Sequence, residues 1–188
     1  IILVIAMICV LNSLGCSAGP AYVNYAGKHR ELNMTIDYLA GWLYNENLGT
    51  YGKYAQLMFY EPVEKGGVSR AGIVLTKFLS PSTESQFSNI GELADEIIAR
   101  RMAFRDTLVL LKSKDRLFNT DTINITLSYE MLDQLNSPNA KLEPIKERII
   151  IFKRNGYFYT LRYENSKVRF DKFLDVFKHS IQTLKFKD

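Results

Sequence analysis

Apolar and polar positions alternate along most of this chain, and the period lengthens to helical spacing in two places. Leu32, Met34, Ile36 and Tyr38 alternate with polar neighbours, which predicts a strand over residues 31–39. That strand runs into Ala40-Gly41-Trp42, which holds the single tryptophan, and residues 45–53, rich in Gly and Asn, read as a loop. Strands follow over 54–60 and 68–79, with Gly66-Gly67 as the turn of a hairpin. After a loop over 80–88, Asn89 stands as an N-cap with Glu92 three residues on, the spacing of a capping box. Ile90, Leu93, Ala94, Ile97 and Ile98 then fall on one helical face.

Strands resume over 107–118 and 120–131, joined near Asn119. Residues 133–146, with Pro138 and Pro144, form the longest irregular stretch of the second half. A clear hairpin follows, with strands over 148–153 and 157–164 flanking Asn155-Gly156, the pair best suited to the positive φ angles of a type I′ turn. Its second strand sends Tyr157, Tyr159, Leu161 and Tyr163 to one side and Phe158, Thr160 and Arg162 to the other. Phe170, Phe173, Leu174, Phe177 and Ile181 keep helical spacing, and Leu184 and Phe186 continue as a short extended tail. The order of elements is α+β: an antiparallel β-sheet packed between amphipathic helices, in one domain over residues 31–188.

Charge adds a polarity to this plan. The net charge of +4 is unevenly spread, with 12 Lys and Arg against 6 Asp and Glu from residue 141 onward, and 12 against 14 over residues 16–140. A basic C-terminal third suits an acidic protein or anionic lipid headgroups. Lys153, Arg154, Lys167, Arg169 and Lys172, around the final hairpin and the start of the last helix, form the candidate docking surface. The competing reading is a solvated face whose charges maintain solubility.

The N-terminal stretch decides where those charges are displayed. Ile1 to Val10 is an uncharged apolar run, too short to span a bilayer, and it reads as the core of an export signal that lacks its first residues. Asn12-Ser13-Leu14-Gly15-Cys16-Ser17 follows and resembles the lipobox of bacterial and archaeal lipoproteins. Gly15 fits the small residue before the lipidated cysteine and Cys16 fits the cysteine itself, while Ser13 and Leu14 stand in reversed order. That resemblance implies a signal over 1–16, a tether over 17–30 and an extracytoplasmic lipoprotein carrying palmitate-type acyl chains. Two or three chains, at about 0.8 kcal/mol per buried methylene, hold a protein on a membrane durably. The alternative is an ordinary secretory cleavage near Ala18-Gly19, which discards Cys16. Cys9 lies inside the apolar run, so no thiol chemistry remains in the fold. Nucleic acid is the least fitting partner for an exported chain.

Reacting groups are scarce. His29 falls in the tether and His179 near the end of the last helix, where it reads as a cation at a helix C-terminus. Gly-x-Ser-x-Gly, His-Glu-x-x-His and phosphate-cradling glycine loops do not occur. Asp171 and Asp175, four apart beside Lys172 and Lys178, read as a solvated helix face. The composition therefore points to binding and away from catalysis or a histidine metal site. Tyr44 and Tyr51, in and beside the Gly- and Asn-rich loop, are the aromatic side chains expected at the surface.

The C-terminal third carries a resemblance. Arg148 to Phe152, Gly156 to Tyr163, Phe170 to Phe177 and Ile181 to Phe186 are similar to the C-terminal signature of PsbP-like proteins. In that signature an aromatic Tyr-x-Leu-x-Tyr strand leads to a Phe-centred helix and a short terminal strand. Met34 to Trp42 is similar to the family's opening, with Leu39-Ala40 in place of its proline. The resemblance implies an α/β/α sandwich shared with Ran-binding import factors of the Mog type. By resemblance alone it implies an extrinsic photosystem II role and calcium retention, and no residue of this chain matches an ion-retention motif. Two functional readings follow: a lipid-anchored, non-catalytic accessory or assembly protein docking to a membrane protein complex, and a carrier of a small apolar ligand between sheet and helix.

Overall fold

The computed structural model describes residues 19–27, 30–49, 52–62, 72–81, 86–132 and 140–187. Ten strands and two helices succeed one another within them: β1 (Tyr22–Ala26), β2 (Met34–Leu39), β3 (Leu43–Leu48), β4 (Tyr54–Tyr60), β5 (Gly72–Phe78), α1 (Ile90–Arg101), β6 (Arg105–Leu117), β7 (Thr120–Leu132), β8 (Leu142–Arg154), β9 (Tyr157–Ser166), α2 (Phe170–Thr183) and β10 (Lys185–Phe186). The principal sheet has the order β3-β4-β5-β9-β8-β7-β6, antiparallel throughout. A small sheet, β1-β2-β10, joins the first strands to the last.

Strict alternation on β8 and β9 builds two cores, one on each face. Ile150, Phe152, Tyr159, Leu161 and Tyr163 point toward α2 and the small sheet, together with Leu57, Phe59, Ile73 and Leu75. Ile145, Ile149, Ile151 and Phe158 point the other way, against Leu93 and Ala94 of α1 and Ile123, Ile125 and Leu127 of β7. The sandwich is thus α1 on one face, the sheet in the middle, and α2 with the small sheet on the other. Tyr163 is fully buried between the rings of Phe170 and Phe177, with centroids 4.7 and 5.5 Å away. Its hydroxyl donates to the Phe170 carbonyl at 2.7 Å, which ties β9 to the first turn of α2.

Local sequence chemistry explains the connections. The Asn89 carboxamide oxygen accepts from the backbone N–H groups of Gly91 and Glu92, at 2.8 and 3.1 Å, as an N-cap should. Asn155 and Gly156 both hold positive φ, 49° and 79°, as the I′ turn requires. Phe118 and Asn119 make the β6–β7 turn with φ of 55° and 58°. Positive φ is unusual for a bulky side chain. Here the Phe118 ring packs against Phe152 and Phe186, which offsets the backbone cost.

Four expectations are corrected. Part of the span expected as a 17–30 tether, Tyr22–Ala26, is strand β1, which pairs with β2 and so belongs to the fold. Tyr25 is buried and Asn24 bonds Asp37, but five residues are too few for alternation to show. The strand set at 31–39 starts later, because Arg30–Leu32 is a 3-10 turn that seats Leu32 in the core. Residues 45–48 of the expected 45–53 loop belong to edge strand β3. Lying at the border of the sheet, β3 is largely exposed on both faces and lacks a hydrophobic period. Finally, β8 starts at Leu142 and runs through Pro144. The Pro144 carbonyl accepts from Lys167 N on the β9 side, so its nitrogen also faces that side, just past the last β8–β9 pair, where a missing N–H disrupts no ladder bond. Cys16, His29, Tyr51, Gly66-Gly67 and Pro138 lie outside the described residues.

Candidate docking face

The five basic residues singled out in the sequence do not form one surface. Lys153 and Arg154 flank the β8–β9 turn, whereas Lys167, Arg169 and Lys172 follow the far end of β9. Nine residue steps along β9 at roughly 3.3 Å each place these groups about 30 Å apart. Neither group is a simple cluster of free cations. Arg154 lies over the Phe186 ring, and Arg169 makes a two-pronged ion pair with Glu61 at 2.9 and 2.8 Å. Lys153 and Lys172 are exposed, each with its ammonium over a phenylalanine ring, and Lys167 is exposed beside the start of α2.

The structure instead draws attention to apolar surface. Of the thirteen large hydrophobic side chains exposed among the described residues, nine lie on β6 or at the end of the sheet where β6 begins. Met102 and Phe104 sit in the α1–β6 turn, and Leu108, Val109, Leu110 and Leu111 follow on β6 itself. Leu132, Leu142 and Val168, at the adjoining ends of β7, β8 and β9, complete the group. β6 is an edge strand, and its register shifts between Arg105 and Leu108 and again between Val109 and Leu111. Two such irregularities hinder a further strand from pairing with this half of the edge, while Lys112, Lys114 and Arg116 guard the other half. What remains is a side-chain surface.

A buried ionic network holds the corner of that surface. Glu147 of β8 is fully buried and receives Arg101, the last residue of α1, through Nε at 2.8 Å and Nη2 at 3.0 Å. Arg162 of β9 approaches the same carboxylate at 3.4 Å. The Tyr129 hydroxyl donates to Glu164 at 2.9 Å and lies 3.3 Å from Glu147. The Glu147 hydrogen bond raises the pKa of the Arg101 guanidinium further. Burial, reinforced by the Glu147 and Glu164 charges, drives the Tyr129 phenol well above its usual pKa. Phe104 stacks on Tyr129 at 5.2 Å, with Arg101 beside both rings. Thr107 donates to the carbonyls of Arg101 or Phe104, at 2.7 and 3.0 Å, and fixes the turn into β6. Nothing in the linear sequence pairs Arg101 with Glu147, 46 residues later. The available signal was a glutamate among the apolar residues of a central strand.

Beside this corner, on the α2 face, a groove runs between β6 and the start of α2. Leu108, Leu110, Ser128, Lys146, Lys167 and Asp171 line it, with a volume of about 220 Å³. A second cleft of about 300 Å³ opens on the α1 face over Gln56, Thr76 and Thr160, with Arg101 and Arg162 on its wall. The space between sheet and α2 is filled by aromatic rings packed on one another. His179 contacts Asp37 at 3.2 Å and stacks on Tyr22 at 3.7 Å, which clamps β1 and β2 onto α2. Tyr44 is partly exposed but packs edge-on against Tyr25. Among the described residues no helix is long and apolar enough to cross a membrane, and no group of three or more His, Cys, Asp or Glu could hold a metal ion.

No family model and no curated protein matches the chain. Solved structures do. The chain is similar to the cyanobacterial PsbP (CyanoP) of Synechocystis sp. PCC 6803, with a TM-score of 0.58 and 12% identity over 95% of this chain and 99% of that one. It is similar to the Ran-binding protein Mog1p of Saccharomyces cerevisiae, with a TM-score of 0.56 and 8% identity over 90% and 97% of the two chains. It is also similar to LpqN of Mycobacterium tuberculosis, involved in cell envelope biogenesis, with a TM-score of 0.51 and 10% identity over 89% and 91%. At such identities the likeness is one of fold, and that fold is the α/β/α sandwich common to cyanobacterial PsbP and Mog1p.

Proposed function

We propose that the chain is a non-catalytic accessory protein, held on the extracytoplasmic side of a membrane by acyl chains on Cys16 and docked to a membrane protein complex. The observation that carries this reading is the concentration of exposed apolar side chains on and around the first half of β6. A group of this kind at one place on an otherwise polar surface is characteristic of an interaction site. The Arg101–Glu147 network supports it, since the well-buried ionic groups are engaged in holding the α1–β6 corner rather than converging on a reacting centre. The same fold serves a Ran-binding protein in Mog1p and an envelope-biogenesis protein in LpqN, which suits a partner-facing role in an envelope. For the ligand-carrier alternative, the rings beneath α2 are packed on one another.

The test is crosslinking with mass spectrometry on membranes of the native host, comparing the wild type with Cys16→Ser. The wild type should carry acyl mass on Cys16, partition with membranes and crosslink repeatedly to one protein complex through the β6 end. Cys16→Ser should leave the membrane fraction. Acylated protein without any recurrent protein crosslink would overturn the accessory role.

A further inference from the structure

The groove between β6 and α2 has an apolar wall and two lysines, and the side-chain row next to it on the same face holds an arginine with no acid to answer it. Register places Leu108 of β6, Ser128 of β7 and Lys146 of β8 in one row across the sheet. The next row on the same face is Leu111, Thr126 and Arg148. Arg148 is half-buried, its Nε is shut off from solvent without a hydrogen-bond partner, and no carboxylate among the described residues pairs with it. Lys167, at the α2 end of the groove, likewise has no acidic partner among the described residues. Lys146 has only a long contact with Asp171, at 3.6 Å, whose side chain is mostly in solvent. A half-buried guanidinium without a counter-ion carries an uncompensated charge, and a carboxylate docking against the accessible part of its side chain compensates it.

The geometry points to a specific occupant: a segment of the partner protein that carries a carboxylate side chain flanked by apolar residues. The carboxylate meets Arg148, with Lys146 and Lys167 beside it, and the apolar neighbours cover Leu108, Leu110 and Leu111. A row of polar groups recessed beneath an apolar rim fits a single acidic side chain reaching inward better than a plane of lipid headgroups. This inference rests on the accessory-protein reading and adds to it the chemistry of the partner.

A photoreactive benzoylphenylalanine placed at Leu110 of the full chain, expressed in its native host, tests it. The adduct should be a protein, and its mapped segment should contain Asp or Glu next to apolar residues. Yield should fall about tenfold in Arg148→Gln and in Lys167→Glu, and stay unchanged in Lys153→Gln at the far end of the hairpin. Lys167 is exposed, so its variant keeps the test valid where Arg148→Gln disturbs folding. An adduct with lipid or with a second copy of the chain, a segment lacking acidic residues, or a protein adduct insensitive to both charge changes would overturn the inference. In that last case the accessory-protein reading survives, whereas absence of any protein adduct removes both.

Discussion

Substituting Glu147→Gln should destabilise the fold more than any surface change, and the reason can be worked from the geometry. The side chain is fully buried and its carboxylate faces two guanidinium groups, Arg101 in a two-pronged contact and Arg162 at 3.4 Å. An amide of the same shape keeps the packing and removes the charge. Arg101, whose side chain is only 19% exposed, then holds an unbalanced charge at the end of α1. Breaking a buried pair from one side costs about 3–5 kcal/mol, because the desolvation of the remaining ion is no longer compensated. Arg162 is more open to water, which favours the lower end, so we expect about 3 kcal/mol. For a chain of this length that lowers Tm by about 6–12 °C.

Urea unfolding followed by tryptophan fluorescence suits the measurement. Trp42, the only tryptophan, is buried against Phe173 in the opposite core, so it reports global unfolding rather than local change at the network. The double variant Arg101→Met with Glu147→Gln should lose less than the sum of its two single variants, with a coupling of at least about 1 kcal/mol. A Glu147→Gln change within about 0.5 kcal/mol of wild type, or strict additivity, would refute the argument. Either result would mean that water reaches the carboxylate.

Alkaline pH provides a second test. Burial pushes the Tyr159 and Tyr163 phenols up to about 12, and Tyr129 higher still. The unfolded chain releases these protons near pH 10 while the folded chain keeps them, so stability is full below about pH 10 and falls as pH rises toward 12. Tyr163→Phe should flatten part of that decline; a wild-type profile flat from pH 9 to 11.5 in urea unfolding would contradict it. Gly156→Ala places a side chain at φ 79° and should cost about 1 kcal/mol, read from the urea midpoint. Asn89→Ala removes the acceptor for two N–H groups of α1 and should cost about as much, roughly 1 kcal/mol by the same assay. Leu108→Ser should change stability by less than about 0.5 kcal/mol, since the side chain is 62% exposed, while weakening crosslinking through the β6 end.

The elements that bury one face were legible as patterns, because burial imposes a period. β4, β9, α1 and α2 follow directly from the spacing of Leu57 and Phe59, of Tyr159, Leu161 and Tyr163, of Leu93 and Ala94, and of Phe173 and Phe177. β1 and β3 were not, since a short outer strand and an exposed edge strand have little to alternate. The candidate site was hidden for a related reason. Thr107 to Lys112 reads as strand, and nothing in the letters says that Leu108 to Leu111 stay in solvent until the sheet order makes β6 an edge. Likewise Lys153 and Lys167 look close in sequence, but the strand between them carries them to opposite ends of the domain.

The fold also limits where a partner can be, once Cys16 carries the anchor. Cys16 stands six residues before Tyr22, and extended chain covers at most about 3.6 Å per residue, so the acyl chains lie within about 20 Å of β1. β1 is fixed to α2 through the Tyr22–His179 stack and through Asp37, which bonds both Asn24 and His179. From His179 back to Asp171, at the mouth of the groove, is eight residues of helix, or about 12 Å. Adding roughly 10 Å for the two stacked side chains between the Tyr22 and His179 backbones, an anchor at Cys16 and the groove are separated by no more than about 45 Å. A lipid-held chain of this design reaches segments near the bilayer surface and cannot reach a remote extramembrane domain. The acidic, apolar-flanked segment captured from Leu110 should accordingly map to a loop within about 45 Å of the membrane. If it mapped to a part of the complex well beyond that reach, Cys16 could not be the attachment point of the docked protein, and the signal would have to be one that is cut and lost.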